Sequence, residues 1–344
     1  MRLIAVILLS SVVGIAGCGT DAGGKPEAGQ EVRPAFQAGP AAGELFEGPI
    51  RVHTRGMQGD ALGCDIAPLG DLVAFSWNDH QEEPKIYVVP AKGGPPRQIT
   101  FGAWPDIDPE FAPAGDPATY RIAFASRREG NFDIYLVSLA GTGGAWQLTG
   151  DPSDELHPSF SPDGRHLAFA RLDTDGVWKI WRKDLTTQQE THLGPGTNPE
   201  WSPTGEAIAF QLPAGREHAL WSVWVMRSDG GTRTQVVADD AYGAVHPTWS
   251  PDGRHIAFAK IPLSTSPGPL AGHVWAYDMK TGASFKLTTT ASFDTDPCWA
   301  LDGWVYFSST RTTGRFNLLS GRLAPGLLAS GIAEMPLAPE GGTP

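Results

Sequence analysis

The sequence predicts an all-β protein: a six-bladed β-propeller of four-stranded blades, its ring closed by an N-terminal strand. Three observations carry this reading. The stretch HPSFSPDGRHLAFAR at residues 157–171 returns nearly letter for letter as HPTWSPDGRHIAFAK at 246–260. Its turn can be traced six times, with second positions 45, 49, 41, 48 and 50 residues apart, about the period of a propeller blade. Between the turns apolar residues alternate with the strand period of two, and no stretch follows the helical period.

In chain order, residues 1–17 read as a signal peptide. Arg2 supplies a minimal positive region and Leu3 to Ile15 an apolar one, too short for a membrane span and without a stop-transfer pattern. The segment ends Ile15-Ala16-Gly17-Cys18, which resembles the bacterial lipobox. That resemblance implies cleavage after Gly17, lipidation of Cys18 and attachment to a membrane through acyl chains. Gly19, where Asp would signal inner-membrane retention, implies an outer-membrane lipoprotein facing the periplasm or the cell surface. Residues 18–48 are rich in Gly, Ala, Pro and Glu and read as a flexible tether.

Residues 49–323 hold the repeats. The six turns are Ala67-Pro68-Leu69-Gly70, Ala112-Pro113-Ala114-Gly115, Ser161-Pro162-Asp163-Gly164, Ser202-Pro203-Thr204-Gly205, Ser250-Pro251-Asp252-Gly253 and Ala300-Leu301-Asp302-Gly303. Pro sets φ for the second turn position and Gly closes the turn without steric cost. An apolar residue precedes each turn, and a strand carrying Ala-Phe follows it at Phe75, Phe124, Phe169, Phe210 and Phe258, with Tyr306-Phe307 as the last variant. The Phe and its partner two residues earlier share one face; the small Ala points the other way, where a neighbouring sheet must come close. Pairs such as Ile134-Tyr135 and Ile180-Trp181 mark a third strand, and Trp146-Gln147-Leu148-Thr149 a fourth. Such a unit cannot cover its own faces, so the units stack radially into a closed ring. The sixth unit lacks a fourth strand. The alternating segment Ile50-Arg51-Val52-His53-Thr54 ahead of the first unit is expected to supply it. Residues 324–344 read as a C-terminal tail.

Bulk composition narrows the function. A formal net charge of −12 with few Lys argues against a nucleic-acid partner, because binding there rests on basic side chains neutralising phosphates. No G-x-S-x-G elbow is present, which removes the propeller peptidases built on an α/β-hydrolase domain.

The element S-P-D-G-x-x-[IL]-A-F, followed by I-[YW] and Q-L-T, resembles the TolB-type, or WD-like, β-propeller repeat over roughly residues 50–323. Ser126 to Tyr135 fits the family's hairpin between second and third strands. TolB itself carries an α/β domain ahead of its propeller, and here a tether stands in that place. The resemblance therefore carries the fold further than it carries TolB's own role.

One position recurs just before the innermost strand, ahead of a Pro: Asp108, His157, Asn198, His246 and Asp296, with Gly63 in the first unit. Innermost strands line a propeller's axis, so these five side chains are expected to ring one mouth of the channel. They could bind a peptide, a sugar or a cation, or simply bond the backbone of a neighbouring blade. Two His and two Asp also raise the alternative of a metal-dependent polysaccharide lyase or hydrolase. No cofactor is expected. Trp104, in the loop before Asp108, is the aromatic residue best placed for an exposed contact. Arg127-Arg128 reads as a solvated hairpin turn. Cys64 and Cys298 stand near the same point of the first and last units, one residue out of register, and either form a disulfide or remain two buried thiols. The expectation is a monomeric, lipid-anchored binding or scaffolding module for an envelope protein or cell-wall component.

Overall fold

The computed structural model describes residues 31–32, 45–141, 144–213, 221–239, 241–262 and 271–324. The lipobox Cys18, most of the tether and nearly all of the C-terminal tail lie outside these residues.

Six sheets are arranged as blades. Blade one is built from Asp60–Ile66, Leu72–Asn78, Lys85–Pro90 and Arg97–Gln98, each strand antiparallel to the next. Blade two uses Asp106–Phe111, Arg121–Ser126, Asp133–Ser138 and Trp146–Gln147; blade three Glu155–Phe160, His166–Leu172, Trp178–Asp184 and Glu190–Pro195. Blade four uses Thr197–Trp201, Ala207–Pro213, Trp221–Arg227 and Arg233–Val237; blade five Tyr242–Trp249, His255–Pro262, His273–Asp278 and Ser284–Lys286. Blade six has three strands of its own, Asp294–Trp299, Trp304–Ser309 and Asn317–Leu323. The N-terminal strand Phe46–Val52 adds to the last of them, antiparallel, and completes the sheet. Helix is limited, among the described residues, to one 3-10 turn at Pro117–Thr119.

The turn between first and second strands is held as its sequence requires. Ser161 Oγ accepts the N–H of His166 at 2.9 Å and donates to Asp163 Oδ1 at 2.6 Å, while the Gly164 N–H reaches Ser161 O at 2.8 Å. Ser250 repeats this with His255 and Asp252. Gly164 and Gly253 sit at φ 67° and 68°, a conformation a side chain would strain.

The Ala-Phe strand explains the ring. Phe75, Phe124, Phe169, Phe210, Phe258 and Phe307 are all fully buried. Each packs back onto the preceding blade and meets that blade's Ala: Phe124 with Ala74, Phe169 with Ala123, Phe210 with Ala168, Phe258 with Ala209, Phe307 with Ala257. The sixth interface, blade six against blade one, differs. Tyr306 occupies the Ala position and packs with Phe75, its hydroxyl donating to Ala91 O at 3.2 Å. A larger side chain fits there because its polar tip finds a partner. Burying one such aromatic ring contributes roughly 1.5–3 kcal/mol.

The ring is closed twice. In blade six, on the face turned toward blade five, Phe46 of the added strand stacks on Phe307 with ring centroids 5.9 Å apart, and lies so close over Gly321 that a Cβ there would meet its ring. On the inside, the structure joins Cys64 to Cys298, with Cα atoms 5.9 Å apart. The one-residue offset between the two cysteines does not separate them, because neighbouring innermost strands run side by side at the axis.

Arg128 departs from the sequence expectation. Arg127 is exposed, but Arg128 turns inward, 3.4 Å from the buried Asp106 carboxylate and 4.3 Å from the Tyr135 ring centre. Asp106 is fully buried, where an unpaired charge is costly, and both Arg128 and Lys85, the latter at 3.8 Å, stand beside it. Phe46→Ala should lower stability by about 1–3 kcal/mol, because it removes the contact that seats the closing strand. A melting temperature equal to that of the parent protein would show that the ring does not depend on this strand.

Candidate functional site

The recurring position before Pro is a β-bulge in every blade. Each innermost strand slips by one residue against its neighbour at this point. The bulged residue adopts a left-handed backbone: φ is 53° at Asp108, 54° at His157, 49° at Asn198, 53° at His246 and 46° at Asp296, with Gly63 at 55°. Asp, Asn and His are the non-glycine residues that tolerate this region best, which accounts for the residue types. The Pro that follows has no N–H to offer the disrupted ladder. The bulge aims the side chain at the propeller axis.

All five side chains, together with Gly63, line one axial cavity of about 110 Å³, enough for several waters. They are recessed rather than displayed at an open mouth: the side chains of His157, Asp108, His246 and Asp296 are 10%, 13%, 10% and 7% exposed. They meet in pairs across neighbouring blades. His157 Nε2 lies 3.5 Å from Asp108 Oδ2, and His246 Nδ1 contacts Asp296 Oδ1. Asp296 Oδ2 also accepts the Gly63 N–H at 3.1 Å, so it links blade six to blade one. The His246 N–H donates to Gln211 Oε1 at 2.9 Å and the Asp108 N–H to Ser76 Oγ at 3.2 Å. The same positions thus face the axis and tie neighbouring blades together.

Electrostatics separate the two Asp. Burial pushes the Asp108 carboxyl up, against the pull of His157 and His246. Burial also works against the charges of Asp296 and His246, but their mutual attraction and hydrogen bond win: Asp296 is held below, and His246 above, its ordinary value. The collar thus holds one ion pair beside a carboxyl that binds its proton more tightly than an ordinary Asp.

Two residues further along each strand is a second tier that sequence reasoning missed: Asp65, Glu110, Ser159, Glu200, Thr248 and Cys298. Five of the six line the same cavity. Their side chains reach across to the next blade. Asp65 Oδ2 accepts the Phe111 N–H at 2.6 Å, Glu110 Oε1 the Phe160 N–H at 3.2 Å, and Ser159 Oγ the Trp201 N–H at 3.1 Å. Burial pushes Asp65 up to about 7 and Glu200 up to about 8, with mutual repulsion adding to it at Glu200. Glu110 is raised well above its usual range by burial and by the charges of Asp65 and Glu200. The sequence signal was a column at a fixed offset of two from the collar, but its residue types vary too much to stand out.

Trp104 does not line the cavity. It is half-buried in the loop before Asp106, its ring against Gly102 and 5.5 Å from the Arg128 guanidinium. The collar fits a metal poorly. Among the described residues no three His, Cys, Asp or Glu side chains are placed to hold an ion, because the His and Asp are committed to one another and to backbone groups.

Residues 51–230 match the model of the TolB β-propeller domain. The chain belongs to this family. An uncharacterized protein of Agrobacterium fabrum is 28% identical over 57% of this chain and 68% of its own length. A TolB homologue of Chlorobium chlorochromatii is 30% identical over 40% of this chain, and the match spans only 30% of that relative. The crystal structure of TolB from Acinetobacter baumannii superposes with a TM-score of 0.55 at 21% identity, over 75% of this chain and 66% of that one. At that identity the superposition is a statement about the TolB fold.

The second tier predicts a pH dependence. Asp65 and Glu200 bind protons more tightly folded than unfolded, so their contribution to stability is complete below their ordinary values near 4 and is lost as pH rises through about 7 to 8. His53, beside the closing strand and pushed down to about 4 by burial, acts in the opposite sense on the acid side. Glu200→Gln should flatten the fall in unfolding free energy between about pH 5 and pH 9. Parallel curves for variant and parent would refute the shared-proton tier.

Proposed function

We propose that this TolB-type propeller is a lipid-anchored cell-envelope protein with a non-catalytic role, binding or scaffolding a protein or cell-wall component through its axial collar. The observation that carries the reading is the set of five polar side chains held at left-handed bulges. Gly63 shows that the bulge forms without a side chain, and a non-glycine residue in that conformation costs on the order of 1–3 kcal/mol. Five blades keep a side chain nonetheless, and all five point into one cavity. A collar of paired donors and acceptors suits hydrogen-bonded recognition of a polar segment. The acidic chain, at −12, is poorly suited to nucleic acid.

His157→Gly and Asn198→Gly should shift the melting temperature by only a few degrees, since relief of the left-handed strain offsets part of the lost inter-blade contacts. In affinity capture from detergent-solubilised envelopes the same variants should lose the component that the parent retains. Identical captured components would refute the collar as the binding site. The anchor is tested separately: labelled palmitate should enter the parent and not Cys18→Ser, which should leave the membrane fraction. Equal labelling of the two would refute lipidation at Cys18.

A further inference from the structure

The collar's gap and the propeller's disulfide occupy neighbouring residues. Five blades put a side chain at the left-handed bulge, and blade one puts Gly63 there. Beyond its chain neighbours, a Cβ on Gly63 would come no nearer to any atom than 4.0 Å, the distance to Asp108 Oδ1. The position is open space rather than a close approach that demands glycine. The next residue is Cys64, joined to Cys298. Both cysteines line the axial cavity, Cys64 half-buried and Cys298 buried. The bond is therefore reached from the axis, on the one side of the collar that carries no side chain.

This approach is charged. It is flanked by Asp108 of blade two and Asp296 of blade six, the collar residues on either side of Gly63. Among the described residues the cavity lining includes Asp65, Asp108, Glu110, Glu200 and Asp296, and neither Lys nor Arg. Asp296 is held in its charged form by His246. Such a lining draws in a small molecule that bears an ammonium group and repels one that bears a carboxylate. A cavity of about 110 Å³ admits a molecule of a few heavy atoms and excludes a protein reductase.

We propose that the Gly63 gap admits a low-molecular-weight aminothiol to the Cys64–Cys298 disulfide, which opens and recloses by exchange in the folded propeller. The aminothiol attacks as its thiolate at Cys64 Sγ, the more exposed sulfur. A new S–S bond forms there, the bond to Cys298 breaks, and Cys298 leaves as a thiolate that takes a proton from water. A second aminothiolate attacks the sulfur of the first, releasing Cys64 and departing with it as the oxidised dimer. Two thiols are oxidised and one disulfide is reduced. The freed Cys64 thiol has an acceptor in place, since Asp296 O lies 3.3 Å from its Sγ. The ring stays closed throughout, because the pairing of Phe46–Val52 and the packing of Tyr306 on Phe75 involve neither sulfur. The same exchange run backwards with the oxidised dimer restores the bond. None of this depends on the binding role proposed for the collar.

Alkylation and peptide mapping of the full-length chain test the exchange, with Cys64 and Cys298 read apart from Cys18. Before any thiol is added, both should resist alkylation in denaturant. In native buffer cysteamine should open both to alkylation at a rate linear in its concentration, while the near-ultraviolet circular dichroism stays native. Each thiol's rate is divided by its rate on the urea-unfolded chain, which removes intrinsic reactivity. On that scale mercaptoacetate, of similar size, should be about tenfold slower than cysteamine. Cystamine should then reclose the bond. Gly63→Asn fills the gap with a residue the left-handed bulge accepts, and should slow cysteamine about tenfold with the spectrum unchanged. Free Cys64 and Cys298 at the outset, equal scaled rates for the two thiols, or an unchanged rate in Gly63→Asn overturns the proposal. So does a rate that saturates with thiol concentration, the mark of reduction through global unfolding. If Gly63→Asn does not fold, the two thiols compared on the parent decide alone.

Discussion

A four-stranded sheet that is apolar on both faces cannot stand alone in water, and the rest of this molecule follows from that constraint. One face of each blade carries a buried Phe, and the other carries a buried Ala in five blades and Tyr306 in the sixth. Phe of one blade seats on Ala of the one before, and repetition turns the chain through a circle until the first blade meets the last. At the closing interface Tyr306 stands where the other blades have Ala and packs with Phe75, and the Cys64–Cys298 link spans the same interface. The interface whose packing deviates most from the repeat is the one fastened by additional means.

Closing the ring creates the axis, and the axis concentrates charge. Strand rules place alternate residues of every innermost strand inward, so a polar choice made once per blade becomes a tier. In the collar, opposite charges pair and are stabilised as ions. In the tier beyond it, acids meet acids and hold their protons to higher pH while bonding the next blade's backbone. One strand geometry thus yields two electrostatic regimes two residues apart.

Much of this was legible in the sequence. Turns such as Ser161-Pro162-Asp163-Gly164 and the Ala-Phe strands carry a local signal in each copy, and the period converts them into a fold. The collar was legible because Pro follows it at Pro109, Pro158, Pro199, Pro247 and Pro297. The second tier was not, since Asp65, Glu110, Ser159, Glu200, Thr248 and Cys298 share no residue type and are united only by where the bulge aims them. Arg128 was read as solvated because its partner, Asp106, is distant in sequence and its burial is a tertiary fact. Trp104 shows the converse error: a loop aromatic near the axis in sequence is held off it by stacking beside Gly102 and Arg128.

Gly63 leaves the collar with five side chains and one gap. Its N–H is already given to Asp296, and beside it Cys64 is tied to Cys298. The pseudo-sixfold axis is thereby marked at a single angle, like a dial with one numeral missing. A segment entering along the axis meets polar groups on five sides and bare backbone on the sixth. On the proposed binding role, the collar would distinguish rotations about the axis as well as depth along it.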